Sequence, residues 1–501
     1  MAQFTALKVS NMDLPDGMIS YGDRLANLAK ERGEADALVF LAADGSNEHF
    51  SWRHLEERSN ALAWKLTGEG VGVGDRLGIK IRNSPDHILV ALAAWKIGAV
   101  PIPIRWDLPE WELDRVLAVL DAKKVVEKGH QILELGPECR IDPYHSEISP
   151  HASGVMSSGS TGSPKVILRL VPGVYVPGSS SNRLVEAYGT LGPQMVLVPA
   201  PLYHSNGFMA LGNLLEGDRL LLLERFDAGL LLGGVEDHGV TGMVATTVML
   251  QRLARHEDFG KRDLSSLDWV MHGAAPLPDW LAKRWIERIS PEKFFVCYGS
   301  SEGIGATFAR GDEYLEHPLT VGIGAMGTDV RILDETGEAL PTGDIGQIYM
   351  RSEHGILATY VGDVPPIPVT EDGYSTVGDL GWLDSDGYLY IADRRVDMIV
   401  TGGANVYPAE VEAALSEHPS VVDVVVIGLS DPEWGRRVHA IVQLEKDVIG
   451  LSADELIDYA GDRLARYKTP KSVELVTEIP RSEATKVNRS ALVAAREVAE
   501  E

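Results

Sequence analysis

Ser157-Ser158-Gly159-Ser160-Thr161-Gly162-Ser163-Pro164-Lys165 puts five hydroxyl residues, two glycines and a lysine into nine positions. The apolar run Val166-Ile167-Leu168 follows at once. Glycine lets backbone approach a ligand closely, and hydroxyls and amides donate to phosphate oxygens. Lys165 adds a point charge. Serine and glycine are also linker residues, so the stretch alone leaves both a phosphate cradle and a flexible surface loop open. It is not a Walker loop, which ends in Gly-Lys-Ser/Thr where this chain has Pro164-Lys165-Val166. Mononucleotide kinases and GTPases of that type are therefore disfavoured.

Upstream, strand and helix signals alternate. Leu77, Ile79 and Ile81 alternate as a strand. Ser84-Pro85 is expected to open a helix, with serine as N-cap and proline in the first turn, and Gly98 to end it. Val100 to Ile104 reads as a strand whose prolines suggest an edge. A helix over Pro109 to Leu120 and a strand at Val125-Val126 follow. This alternation implies a largely parallel sheet covered by helices. Downstream, short apolar runs at Met195 to Pro201, Leu220 to Leu223, Met243 to Thr247, Trp269 to Met271 and Phe294 to Cys297 have strand length. Ligands of open α/β sheets sit beyond the carboxyl ends of the strands. His204, Thr247, His272 to Pro276 and Tyr298 to Gly303 are therefore expected along one crevice.

The chain has 501 residues, room for two or more domains. Forty-six Lys and Arg against 73 Asp and Glu give a net charge of −27. That balance argues against non-specific binding to nucleic acid or anionic membranes, so an anionic ligand must be held by local donors. The two cysteines, Cys139 and Cys297, have no metal-ligand spacing, and a reducing cytoplasm fits them. No signal peptide and no bilayer-spanning run is read.

With these segments in hand, the chain resembles the adenylate-forming superfamily of acyl-CoA synthetases, luciferases and peptide-synthetase adenylation domains. The residues that carry the resemblance are the glycine–hydroxyl stretch, Tyr298-Gly299-Ser300-Ser301-Glu302-Gly303 and Ser375-Thr376-Val377-Gly378-Asp379. Asp393-Arg394-Arg395, Gly402 to Glu410, and Pro480-Arg481 with Lys486 complete it, in the family's order. It implies an α/β fold, with a large N-terminal domain of packed mixed sheets and helices and a small mobile α+β C-terminal domain. The expected bounds are 1–392 for the ATP- and acyl-binding domain, 393–397 for the hinge and 398–501 for the small domain carrying the catalytic lysine.

The chemistry implied has two halves. A carboxylate attacks the α-phosphorus of ATP to give acyl-AMP and pyrophosphate, and the thiol of coenzyme A then displaces AMP. Two anions must meet in line, which demands amides, hydroxyls, a cation and Mg²⁺. By resemblance Ser158, Gly159, Ser160, Thr161, Gly162 and Lys165 hold the β- and γ-phosphates. Tyr298 stacks on adenine and Ala274, Ala275 and Pro276 shape the other side of that slot, while Gly273, Gly299 and Ile391 count among the ATP- or AMP-binding residues. Ser301, where the family mostly has threonine, donates to the α-phosphate. Glu302 ligates the metal, Asp379 accepts from the ribose hydroxyls, and Arg394 supports ribose and phosphate. Lys486, His204, Thr161 and Glu302 are the expected catalytic set. His204, Ser205, Gly207, Thr247, Gly303 and Ala306 are expected to border the acyl group, with Met209, Met243 and Met249 as apolar lining.

In the family the small domain turns between the half-reactions. Lys486 serves adenylation, and Gly402, Gly403, Ala404 and Trp434 serve coenzyme A. Two departures bear on that turn. The hinge position, usually Lys or Asp, is Val396, so rotation is tuned differently or the pivot moves to Arg395 or Asp397. The residue before the lysine, usually glycine, is Thr485; a glycine there would permit positive φ, and a β-branched residue is stiffer.

The reading adopted is an AMP-forming acyl-CoA ligase using ATP, Mg²⁺ and coenzyme A. Its acid is expected to be a bulky apolar one, fatty or steroid- or terpenoid-like. Neither nucleic acid nor integral membrane contact is expected, and a homodimer is left open. Transfer to a carrier-protein thiol or to oxygen, and a non-catalytic acyl or nucleotide binder, are the alternatives.

Overall fold

In the computed structural model, residues 18–497 are described apart from 129, 131–132, 137–138, 158–164, 178–182, 188, 190–191, 363, 395–396, 447, 449 and 484. Ser158 to Pro164, Arg395 and Val396 thus lie outside the described residues, as do the side chains of Asp393 and Arg394.

A nine-stranded sheet forms the centre of the large domain. Six neighbouring strands run parallel: Asp36–Leu41, Arg219–Leu223, Met195–Val198, Gly242–Ala245, Trp269–His272 and Phe294–Gly299. Antiparallel strands Asn47–Ser51 on one edge, and Ala306–Arg310 with Ile323–Ala325 on the other, complete it. Leu220 to Leu223 are fully buried, because helices cover both faces. One face packs on the helices Tyr21–Arg32, Trp52–Gly68 and Pro85–Lys96, around Leu25, Trp52, Leu55 and Ile88. The other packs on Ala228–His238, Thr247–Arg255 and Asp279–Ile289, around Leu231, Leu250 and Trp285. Met243 and Met249, expected along the acyl group, are fully buried in this second core instead.

The helix Pro85–Lys96 starts as expected: the Ser84 hydroxyl accepts the His87 amide and proline occupies the first turn. Val100–Pro103 is the edge of a small parallel sheet with Arg76–Lys80 and Lys124–Glu127, so its prolines forfeit no ladder bond on the outer side. Lys165–Arg169 pairs antiparallel with Gly154–Ser157 and Ala358–Val361, the glycine–hydroxyl stretch lying between two of these strands. A four-stranded antiparallel sheet ends in Asp379–Leu383 and Leu389–Arg394, a hairpin turning at Asp386-Gly387. Its last strand runs through Arg394, past the expected boundary at 392/393.

The small domain packs the helix Pro408–Ser416 and a three-stranded sheet around Val411, Leu415, Val426 and Ala440. Its second helix, Ala453–Gly461, is short. Asp462 caps it there, and a turn takes over.

Candidate active site

The cavity opens where the parallel strands end, as the topology demands, and holds about 2320 Å³. After Met195–Val198 the chain turns through Pro199 to Tyr203 on a buried asparagine. Asn83 donates to the Ala200 and Leu223 carbonyls (3.1 and 3.0 Å) and accepts the Leu202 amide at 2.7 Å. Two strand ends and the His204 turn are thereby tied together. No local pattern marks this role, since the partners lie over a hundred residues away.

His204 stands on the cavity wall. Burial, with the Lys486 and Arg105 charges beside it, pushes its imidazole down to about 3, so it is neutral near pH 7. Ser205 meets Ser301 hydroxyl to hydroxyl at 2.7 Å, joining the two sides of the crevice. Gly207 does not line the cavity: a Cβ there would lie 2.3 Å from the Pro201 carbonyl oxygen, so the glycine serves the close packing of its own turn. Thr247 does line it, donating to the Pro276 carbonyl at 2.6 Å and lying 3.2 Å from His272 Nε2. That anchors the Gly273 to Pro276 wall, where Ala274 takes φ +75°.

Tyr298 stands next to the last residue of its strand, its hydroxyl donating to Asp379 Oδ2 at 2.7 Å. Asp379 is only 7% exposed. Gly299, Ser301, Gly303, Ala306 and Ile391 border the same space. Glu302 is 8% exposed, with Oε1 accepting from the Tyr360 hydroxyl at 2.7 Å and from the Lys165 ammonium at 3.3 Å. That ammonium also lies 3.9 Å over the Tyr360 ring. Burial pushes the Glu302 carboxyl up, but the Tyr360 hydroxyl and Lys165 outweigh it and hold it below the usual range. A fixed, ionised carboxylate on the cavity suits a hard divalent cation such as Mg²⁺. Tyr360 escaped the sequence reading because its partner lies 58 residues back.

Lys486 reaches this cavity from the small domain and is exposed there. Its loop is fixed to its own domain by Arg481, which grips Asp423 at 2.6 and 2.7 Å and donates to the Thr485 carbonyl at 2.8 Å. Thr485 adopts φ +63°, the conformation glycine would have allowed, with its hydroxyl 3.0 Å from that of Thr246 in the large domain. Other contacts across the boundary run from Gln251, Arg255 and Trp280 to residues 416–422. Gly402, Gly403, Ala404 and Trp434 are not brought to the cavity. Gly402 and Trp434 instead pack together: a Cβ on Gly402 would meet the indole at 2.6 Å.

The family model of the AMP-binding enzymes matches residues 25–361, and that of the AMP-binding enzyme C-terminal domain matches 410–486. A feruloyl-CoA synthase from Amycolatopsis sp is 32% identical over 457 residues, covering 87% of this chain and 92% of that protein. A long-chain-fatty-acid–CoA ligase from Mycobacterium tuberculosis is 26% identical, covering 88% and 92%. The solved o-succinylbenzoate CoA synthetase from Bacillus subtilis, in complex with its acyl-adenylate intermediate, superposes with a TM-score of 0.80. It shares 24% identity and covers 95% of this chain and 98% of that one, a likeness of fold.

Proposed function

The chain belongs to the AMP-binding enzyme family, and on that premise we propose that it is an AMP-forming acid–CoA ligase acting on a bulky, largely apolar carboxylic acid. One observation carries the reading: Tyr298 with Asp379, Glu302 with Lys165, His204 and Lys486 all face a single cavity although they come from both domains. In this reading Asp379 accepts from the ribose hydroxyls, and Tyr298 lies along the adenine. Glu302 would hold Mg²⁺, and the ion would supply positive charge at the phosphates. Lys165 and Lys486 add positive charge around the same phosphates. Neutral His204 borders the carboxylate without adding a like charge to Lys486. The coenzyme A role of Gly402, Gly403, Ala404 and Trp434 requires the small domain to turn, since they do not line the cavity here.

The apolar acid is supported by Val198, Val244, Met271 and Val296 on the cavity wall, and by Met209 and Ala210 beside His204. The named activities of the relatives, feruloyl and long-chain fatty acyl transfer to CoA, lie in the same range of size. A panel of carboxylic acids assayed for pyrophosphate release with MgATP, and for AMP and thioester on adding CoA, tests this. Aromatic, alicyclic or long-chain acids should turn over at least tenfold better than acetate, since each buried methylene contributes about 0.8 kcal/mol. Absence of any acid-dependent pyrophosphate would refute the ligase reading, and preference for acetate would refute the apolar acid alone.

A further inference from the structure

Three residues before Lys486, the Glu483 carboxylate leaves its own domain and is grasped by the large one. Arg82 Nη2 donates to Oε1 at 2.7 Å, and the Trp106 indole donates to Oε2 at 2.9 Å. Both oxygens are thus engaged, by donors from two different segments. The two donors are themselves stacked, with the Arg82 guanidinium 4.6 Å over the Trp106 ring. Arg82 directly precedes Asn83, the buried asparagine that ties the strand ends together, so its backbone is fixed. On the opposite side, Arg481 binds the loop to Asp423 and the Thr485 carbonyl. A pull on Glu483 is therefore a pull on the whole small domain.

We propose that Glu483 is a positioning residue that latches the Lys486 loop to Arg82 and Trp106, and so sets the balance between adenylation and thioester formation. The proposal rests on the two-step ligase reading above. The latch is reversible by construction. Its side chains are about a third exposed, 34% for Arg82 and 27% for Glu483, so water can take over their hydration when they part. Arg82 also keeps a second carboxylate, Glu224, at 3.7 Å, and is not left bare when Glu483 departs. A charge-assisted contact of this kind shifts an equilibrium by about tenfold, enough to bias a domain and too little to lock it.

The test measures the half-reactions separately in the full-length enzyme: acid-dependent pyrophosphate release without CoA, and thioester formation from supplied acyl-AMP and CoA. Glu483→Ala should lower the first about tenfold and leave the second equal or faster, with an unchanged melting temperature. Arg82→Glu should act the same way, and Arg82→Glu combined with Glu483→Arg should restore most of the lost ratio. A merely structural glutamate would depress both half-reactions together and would not be rescued by charge reversal; either result overturns the latch. An unchanged ratio in Glu483→Ala, in an enzyme whose wild type performs both steps, also overturns it and leaves the ligase reading standing. A wild type that performs neither step removes the ligase reading, and the latch with it.

Discussion

Tyr298 and Asp379 stand on strands rooted in the large domain, while Lys486 hangs from a loop of the small one. Behind Tyr298, Phe294 and Phe295 are almost fully buried, and Asp379 is itself 7% exposed. Glu302 is fixed by two partners from the same domain. Lys486 is exposed, and its loop meets the large domain through the polar contacts of Glu483 and Thr485. The half proposed to bind nucleotide and metal is thus preorganised by the core, where fixed dipoles act without reorganising. The half that carries Lys486 is held by contacts that water can replace, as the proposed use of that lysine in only one of two steps would require.

The sharpest way to break this contrast is Lys486→Ala. It should reduce pyrophosphate release by about a hundred- to a thousand-fold and spare most thioester formation from acyl-AMP. Equal loss in both would mean that the two halves of the site do not separate. Glu302→Gln comes next, about a hundredfold down in adenylation, with a raised Mg²⁺ requirement as the distinguishing readout because one ligand loses its charge. Wild-type rates at ordinary Mg²⁺ would remove Glu302 from the metal. Asp379→Asn should raise the ATP requirement about tenfold, as a charged acceptor worth about 1.5 kcal/mol is weakened, while the fold stays intact. The smallest effects belong to the contact that joins the two halves. Thr246→Ala forfeits one hydrogen bond to Thr485 and should lower the adenylation-to-thioester ratio about fivefold, for a loss near 1 kcal/mol. Thr485→Gly loses the same bond but relieves a β-branched residue at φ +63°, worth about 1–2 kcal/mol, so its ratio should stay within about threefold of wild type. If Thr485→Gly fell as far as Thr246→Ala, the left-handed threonine would carry no strain.

What the sequence disclosed is what local pattern can carry. Ser84-Pro85 marks a helix start because cap and proline act within one turn, and the Val100–Pro103 edge is written in its own prolines. Tyr298, Glu302, Asp379 and Lys486 were legible because short motifs surround them. Met243 and Met249 were misjudged because an apolar run does not say which face of a covered sheet it serves. Gly207 was misjudged because a glycine near a site looks alike whether it admits a ligand or a neighbouring carbonyl. Arg82, Trp106 and Glu483 left no trace, since their partners are 401 and 377 residues apart and no periodicity reaches so far. The Thr485 conformation was foreseeable only as a question: the sequence showed that glycine was missing, and the fold answers that threonine takes glycine's place in the left-handed region.

Much of the remaining boundary between the domains is read through main chain. Gln251 donates to the Val422 carbonyl at 3.0 Å, and Arg255 donates to the carbonyls of Val421 and Ser416. A carbonyl is there whatever side chain its residue bears. Substitutions at 416, 421 or 422 that preserve the backbone leave these three docking bonds in place, so this part of the seam can drift in sequence without coming apart. A small domain transplanted from a distant relative would find the same donors waiting. What would not transplant is the carboxylate at 483, and the descent of the family should show that position changing in step with 82 and 106 rather than with its own neighbours.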